Sequence, residues 1–129
     1  MKARILCVED NPQNMRLVRK LLKRMYTVLE AEDGLTGLKI AEDEKPDLIL
    51  MDINLPDIDG TEVTRRIKAQ DHLNHIPIIA LTANAMYGDE EKYLAAGCDG
   101  YIAKPVMRDK LYSEIERFLS VDNQDESSA

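Results

Sequence analysis

Five short apolar runs alternate with longer amphipathic stretches along the chain. The runs cover Ala3 to Val8, Thr27 to Ala31, Asp47 to Met51, Pro77 to Leu81 and Gly100 to Ala103, each about the length of one strand. The third contains LILM with no polar alternation, as suits a strand covered on both faces. Between the first two runs, Met15, Val18, Leu21, Leu22 and Met25 recur at three- and four-residue spacing, which places them on one helical face. Asn11 as N-cap and Pro12 at the first helical position mark where that helix begins. Leu111, Ile115, Phe118 and Leu119 repeat the pattern. Further helices are expected over about Leu35 to Asp43, Thr61 to Gln70 and Asp89 to Ala96. Asp33-Gly34, Pro46, Gly60, Pro77 and Gly97 punctuate the boundaries. Strands alternating with helices in this way predict right-handed βαβ units. The fold class is therefore α/β, a doubly wound five-stranded parallel sheet covered on both faces.

Polar residues interrupt the apolar runs at informative places. Glu9 and Asp10 follow the first run, Asp52 the third, Thr82 the fourth and Lys104 the fifth. In a parallel sheet all strand C-termini share one edge, so these residues converge although they lie up to about 95 positions apart. Open α/β sheets bind ligands at that edge, where the strand order reverses. Three carboxylates gathered there repel one another. Two unit charges about 4 Å apart cost roughly 4 kcal/mol at an effective dielectric near 20. A cation relieves that cost, and an all-oxygen ligand set suits Mg²⁺ rather than Zn²⁺, which favours Cys or His. With Lys104 as a fixed positive charge and Thr82 as a hydroxyl donor, the set suits a phosphoryl group.

Composition narrows the partners. The chain has 129 residues with a net charge of −7 from 24 acidic and 17 basic side chains. One domain is expected, and the acidic balance argues against direct nucleic-acid binding, which depends on neutralising phosphates. No apolar run approaches the roughly 20 residues of a membrane span, and no signal-peptide core is present, so a cytoplasmic protein is expected. Cys7 and Cys98 lack metal-ligand spacing and read as buried thiols of a reducing compartment. From Ser120 onward, SVDNQDESSA has no apolar periodicity; a domain over 1–119 and a disordered tail over 120–129 are expected.

The stretches ILCVEDN, PDLILMDINLPDIDG, IPIIALTAN and AAGCDGYIAKPV stand in this order. On them the chain resembles the CheY-like receiver domains of bacterial response regulators, over about Met1 to Leu119. ANAMYGDEEKYLAAGCDGYIAKP is similar in particular to single-domain DivK-type regulators and to receivers of hybrid histidine kinases. The resemblance implies a flavodoxin-like strand order 2-1-3-4-5 with five helices. It implies that Asp52 is the phosphoacceptor and that Asp10, Asp52 and the backbone carbonyl of Asn54 hold Mg²⁺, with Glu9 on a metal-bound water. Lys104 would pair with a phosphoryl oxygen, Thr82 would move to bond another, and Tyr101 would be the switch aromatic. Asn54 and Asn84 would tune hydrolysis of the acyl phosphate or else serve as loop-capping amides, and Lys104-Pro105 would be cis. The implied phosphodonor is a sensor histidine kinase or a histidine phosphotransfer protein in a phosphorelay. The implied target is a protein docking on the fourth helix, fifth strand and fifth helix. Such a protein is a self-modifying switch rather than a turnover enzyme. A stand-alone regulator is the first reading; the alternative is a receiver module excised from a hybrid histidine kinase or a larger response regulator.

Other readings fit the residues less well. An EF-hand starting at Asp52 would need Gly at its sixth position and Glu at its twelfth, where Asp57 and Val63 stand. Asp57 and Asp59 then read as turn residues before Gly60. A haloacid-dehalogenase-type phosphatase would need an acid two residues after its nucleophile, but that residue is Asn54. A receiver that binds partners without phosphate would lack the key groups, and all are present. His72 and His75 fall in a polar loop and read as surface residues.

Overall fold

Each apolar run forms a strand: β1 (Arg4–Val8), β2 (Thr27–Ala31), β3 (Leu48–Asp52), β4 (Ile78–Thr82) and β5 (Gly100–Ala103). The helices between and after them are α1 (Pro12–Leu22), α2 (Gly34–Glu44), α3 (Gly60–Lys68), α4 (Asp89–Ala96) and α5 (Arg108–Ser128). The structure is a computed structural model describing the backbone of residues 2–83 and 89–128, and the side chains of these apart from 89 and 120–128. Asn84 lies outside the described residues. The strands are all parallel in the order β2-β1-β3-β4-β5, as expected for a doubly wound sheet.

Side chains alternate across a strand, and the core divides accordingly. Leu6, Val8, Ile49, Met51, Ile78 and Ala80 pack under Ala41 of α2, Val63 and Ile67 of α3 and Tyr93 of α4. Ile5, Cys7, Leu48, Leu50, Ile79 and Leu81 pack under Met15, Val18 and Leu22 of α1 and Leu111, Ile115 and Leu119 of α5. Both faces of β3 are covered, which is why LILM shows no polar alternation.

Two strands run one residue further than their apolar runs. Asp52 pairs with Leu81 and Thr82 with Ala103, because a polar side chain does not stop the backbone from continuing the ladder. These two residues therefore end their strands instead of following them.

One expectation is corrected. Met25 is not on the buried face: α1 ends at Leu22, where the N–H of Lys23 closes onto Arg19 O, and Met25 is exposed. The last helix, α5, spans Arg108–Ser128. No Gly or Pro interrupts that stretch, so nothing in it breaks the helical hydrogen-bond ladder. Among the described residues no helix is long and apolar enough to cross a membrane.

Candidate functional site

The C-terminal edge of the sheet gathers the polar residues singled out above. The N–H of Glu9 bonds Ala31 O and carries the β1–β2 ladder past Val8, leaving the Glu9 side chain 1% exposed. The next residue, Asp10, turns outward and is exposed. Asn11 then caps α1, its side-chain oxygen accepting from the N–H groups of Gln13 and Asn14 at 2.9 and 3.0 Å. A cap is needed here because the first amides of a helix have no internal acceptor.

Asp52 is also 1% exposed. Its Oδ1 accepts from the N–H of Asn54 at 3.1 Å and lies 3.2 Å from the Lys104 ammonium. The same ammonium stands 2.8 Å from Glu9 Oε1, an oxygen that has no well-angled hydrogen-bond donor. Lys104 reaches inward from just after β5. Its N–H bonds Thr82 O at 2.7 Å, and the Lys104-Pro105 bond is cis.

Glu9, Asp10 and Asp52 each bring one carboxylate oxygen within 4.8 Å of the others. Two of the three are almost out of contact with solvent, and one lysine offsets them. Burial and the adjacent Glu9 push the Asp52 carboxyl up to about 7, with Lys104 and the Asn54 amide opposing. Burial would raise Glu9 too, but its contacts with Asp52 and Lys104 outweigh that and hold it below the usual carboxylate range. Lys104 is lowered by burial, yet the two carboxylates leave it raised above an ordinary lysine. A buried, oxygen-only cluster with excess negative charge and a poorly satisfied Glu9 oxygen fits a hard divalent cation, and the donor set contains no soft ligand.

Thr82, 1% exposed, closes the far side at the end of β4. Its Oγ1 lies 2.7 Å from the hydroxyl of Tyr93 on α4. Tyr101 on β5 is half-buried against the same core cluster as Tyr93. The sequence reading passed over Tyr93. The signal was present, since a tyrosine on the inner face of a helix needs a partner for its hydroxyl.

Two further residues were underestimated. A side chain at Gly60 would meet Asp52 O at 2.2 Å, so α3 begins against the backbone of the candidate acceptor. Asp57 is more than a turn residue: its carboxylate accepts from the N–H groups of Gly34 and Leu35 at 2.8 and 2.9 Å, capping α2 across the sheet edge. Asp59 caps α3 through the N–H and hydroxyl of Thr61. His72 and His75 are exposed in a turn away from the site, and Cys7 and Cys98 are buried free thiols.

Comparisons with known proteins agree with this geometry. The response regulator receiver domain model matches residues 5–116. The polar-differentiation response regulator DivK of Brucella anthropi is 44% identical over 120 residues, covering 92% of this chain and 98% of the relative. Among solved structures, the receiver domain of a Pseudomonas aeruginosa sensor histidine kinase is 42% identical with a TM-score of 0.86, covering 93% of this chain and 99% of that one. That structure has a magnesium ion coordinated in its active-site cleft. The Vibrio cholerae chemotaxis protein CheY4 superposes with the same TM-score of 0.86 at 27% identity, over 92% of this chain and 99% of its own.

Proposed function

We propose, from the premise that this chain belongs to the response regulator receiver domain family of two-component systems, that it accepts a phosphoryl group on Asp52 in a magnesium-dependent reaction. The observation that carries this reading is the placement of Asp52: buried at a strand end, within reach of two further carboxylates and 3.2 Å from a lysine ammonium.

An Asp52 oxygen attacks the phosphorus of a phosphohistidine on a sensor kinase or histidine phosphotransfer protein. The P–N bond breaks, its electron pair stays on the imidazole, which takes a proton from solvent, and Asp52 becomes an acyl phosphate. Asp52 must be ionised to attack, yet without a cation burial and Glu9 hold its carboxyl near pH 7. Asp10, Asp52 and the Asn54 carbonyl would hold magnesium, with Glu9 near a metal-bound water, and the ion would supply the positive charge that keeps Asp52 ionised and offsets the phosphoryl oxygens. Lys104 is already beside Asp52 and pairs with one phosphoryl oxygen. The donor brings an activated group, so positioning and charge do most of the work. The protein is modified and restored by water rather than turning over a substrate.

Thr82 bonds a second phosphoryl oxygen, and Tyr101 follows. Moving a two-state ratio from 1:99 to 99:1 takes about 5.5 kcal/mol, whereas one charge-assisted hydrogen bond contributes roughly 1.5 to 3 kcal/mol. Thr82 therefore does not complete the switch alone. A protein partner adds the rest on the face of α4, β5 and α5, where Leu94, Tyr101, Lys104, Met107 and Lys110 line a groove and Leu94 and Met107 are exposed. The donor places the reaction in the cytoplasm. The same acceptor site would serve a receiver module of a hybrid kinase or larger regulator, a second reading favoured by the 42% identity to a sensor-kinase receiver.

The test is labelling by a small-molecule phosphodonor with Mg²⁺. Wild type should take up one phosphoryl group and Asp52→Asn none; full labelling of the variant would place the acceptor elsewhere.

A further inference from the structure

The Thr82–Tyr93 contact joins the candidate acceptor pocket to a helix that supplies none of its charged groups. Thr82 has the same strand parity as Ile78 and Ala80, so its side chain leans toward the face covered by α2, α3 and α4. There its hydroxyl meets Tyr93 at 2.7 Å, both residues being almost fully buried. A threonine hydroxyl carries a single hydrogen and rotates with its side chain. To donate to a phosphoryl oxygen on Asp52 it has to be drawn toward the pocket and away from Tyr93. The separation gives up the 2.7 Å contact, and that loss carries a cost.

We infer that Tyr93 is a positioning residue for Thr82, a latch that keeps the threonine hydroxyl on α4 until phosphorylation at Asp52 pulls it off. The latch sets how far the resting protein lies from its switched state. It also gives phosphorylation a route to the surface. Leu94, next to Tyr93, is 47% exposed and lines the groove shared with Tyr101 and Met107, so release of Tyr93 repositions the helix that presents it. The inference rests on the proposed role of Thr82 toward a phosphoryl group.

The test is calorimetric binding of beryllofluoride, a phosphoryl mimic, with Mg²⁺ to the full chain. Tyr93→Phe deletes only the hydroxyl. With the latch gone it should bind about two- to twelve-fold more tightly than wild type, the range of one net hydrogen bond. The gain should persist in a Thr82→Ser background and vanish in Thr82→Ala. A structural role in packing would lower the melting temperature without a Thr82-dependent change in affinity. Unchanged or weaker binding by Tyr93→Phe, or an equal gain in the Thr82→Ala background, overturns the latch. If Thr82→Ala alone weakens binding while Tyr93→Phe changes nothing, Thr82 keeps its role and only the latch fails. If wild type does not bind beryllofluoride, the reading of the site fails and the latch with it. A measurement on unmutated protein guards against a variant that does not fold. In tyrosine-labelled protein the ring-carbon resonance beside the Tyr93 hydroxyl should shift when beryllofluoride is added, and a constant resonance contradicts release.

Discussion

Lys104 pairs with two acids in the resting site, and the proposed reaction would use the same side chain. Its ammonium lies between Glu9 and Asp52 at 2.8 and 3.2 Å, and it offsets part of a charge cluster that burial would otherwise make unfavourable. Removing one partner of a buried pair leaves the other uncompensated. Lys104→Met keeps most of the stem and deletes the charge. Without metal it should melt below wild type, and added Mg²⁺ should narrow that gap because a second cation then faces the same acids. Labelling should stay slow even with metal, by about tenfold to a hundredfold, the value of a hydrogen bond to a charged oxygen. Thermal unfolding with and without chelator, beside labelling rates, measures both effects. A variant that labels at the wild-type rate would leave Lys104 a purely structural counterion. Gly60 acts on the same neighbourhood through backbone alone, since any side chain there would press on Asp52 O.

At the scale of elements, most of the architecture was legible because most helices and strands announce themselves locally. β3 and β4 are unbroken apolar runs, Asn11-Pro12 marks the start of α1, and the pocket residues stand at strand ends where the topology gathers them. What stayed hidden depends on contacts between elements. Tyr93 belongs to a weakly patterned helix, and its partner lies on another element. The end of α5 could not be placed from periodicity, because a helix without breakers continues where its apolar stripe stops. Asp57 looked like a turn residue, yet it caps α2 across the sheet edge. Partial desolvation raises its carboxyl, but the N–H donors of Leu35, Gly34, Ile58 and its own backbone outweigh that and hold it below the ordinary aspartate range. A depressed carboxyl stabilises the fold above its unfolded pKa and loses that contribution as pH falls through its folded value. Asp57→Asn should therefore melt below wild type at neutral pH, with the gap closing as pH drops past about 4. A gap that stays constant down the titration would mean that the cap does not depend on the carboxylate charge.

For the whole molecule, the fold's chief contribution is to bring together groups that the unfolded chain keeps apart. Asp10 and Asp52 lie about 40 positions apart in sequence and meet only because β1 and β3 are adjacent and parallel. The unfolded chain offers no such cluster, so a cation bound there favours the folded state by mass action. At 100 times its dissociation constant the gain is about 2.7 kcal/mol, or roughly 10 °C in melting temperature for a domain of this size. Mg²⁺ should raise the melting temperature on that scale and a chelator should reverse it. Asp10 is the discriminating position, because it is exposed and makes no part of the core. Asp10→Asn should fold with little change in the absence of metal and lose most of the magnesium shift, as seen by thermal unfolding across a magnesium titration. An equal shift in this variant would mean that magnesium stabilises the protein through some other acidic surface, and the sheet edge would not be its binding site.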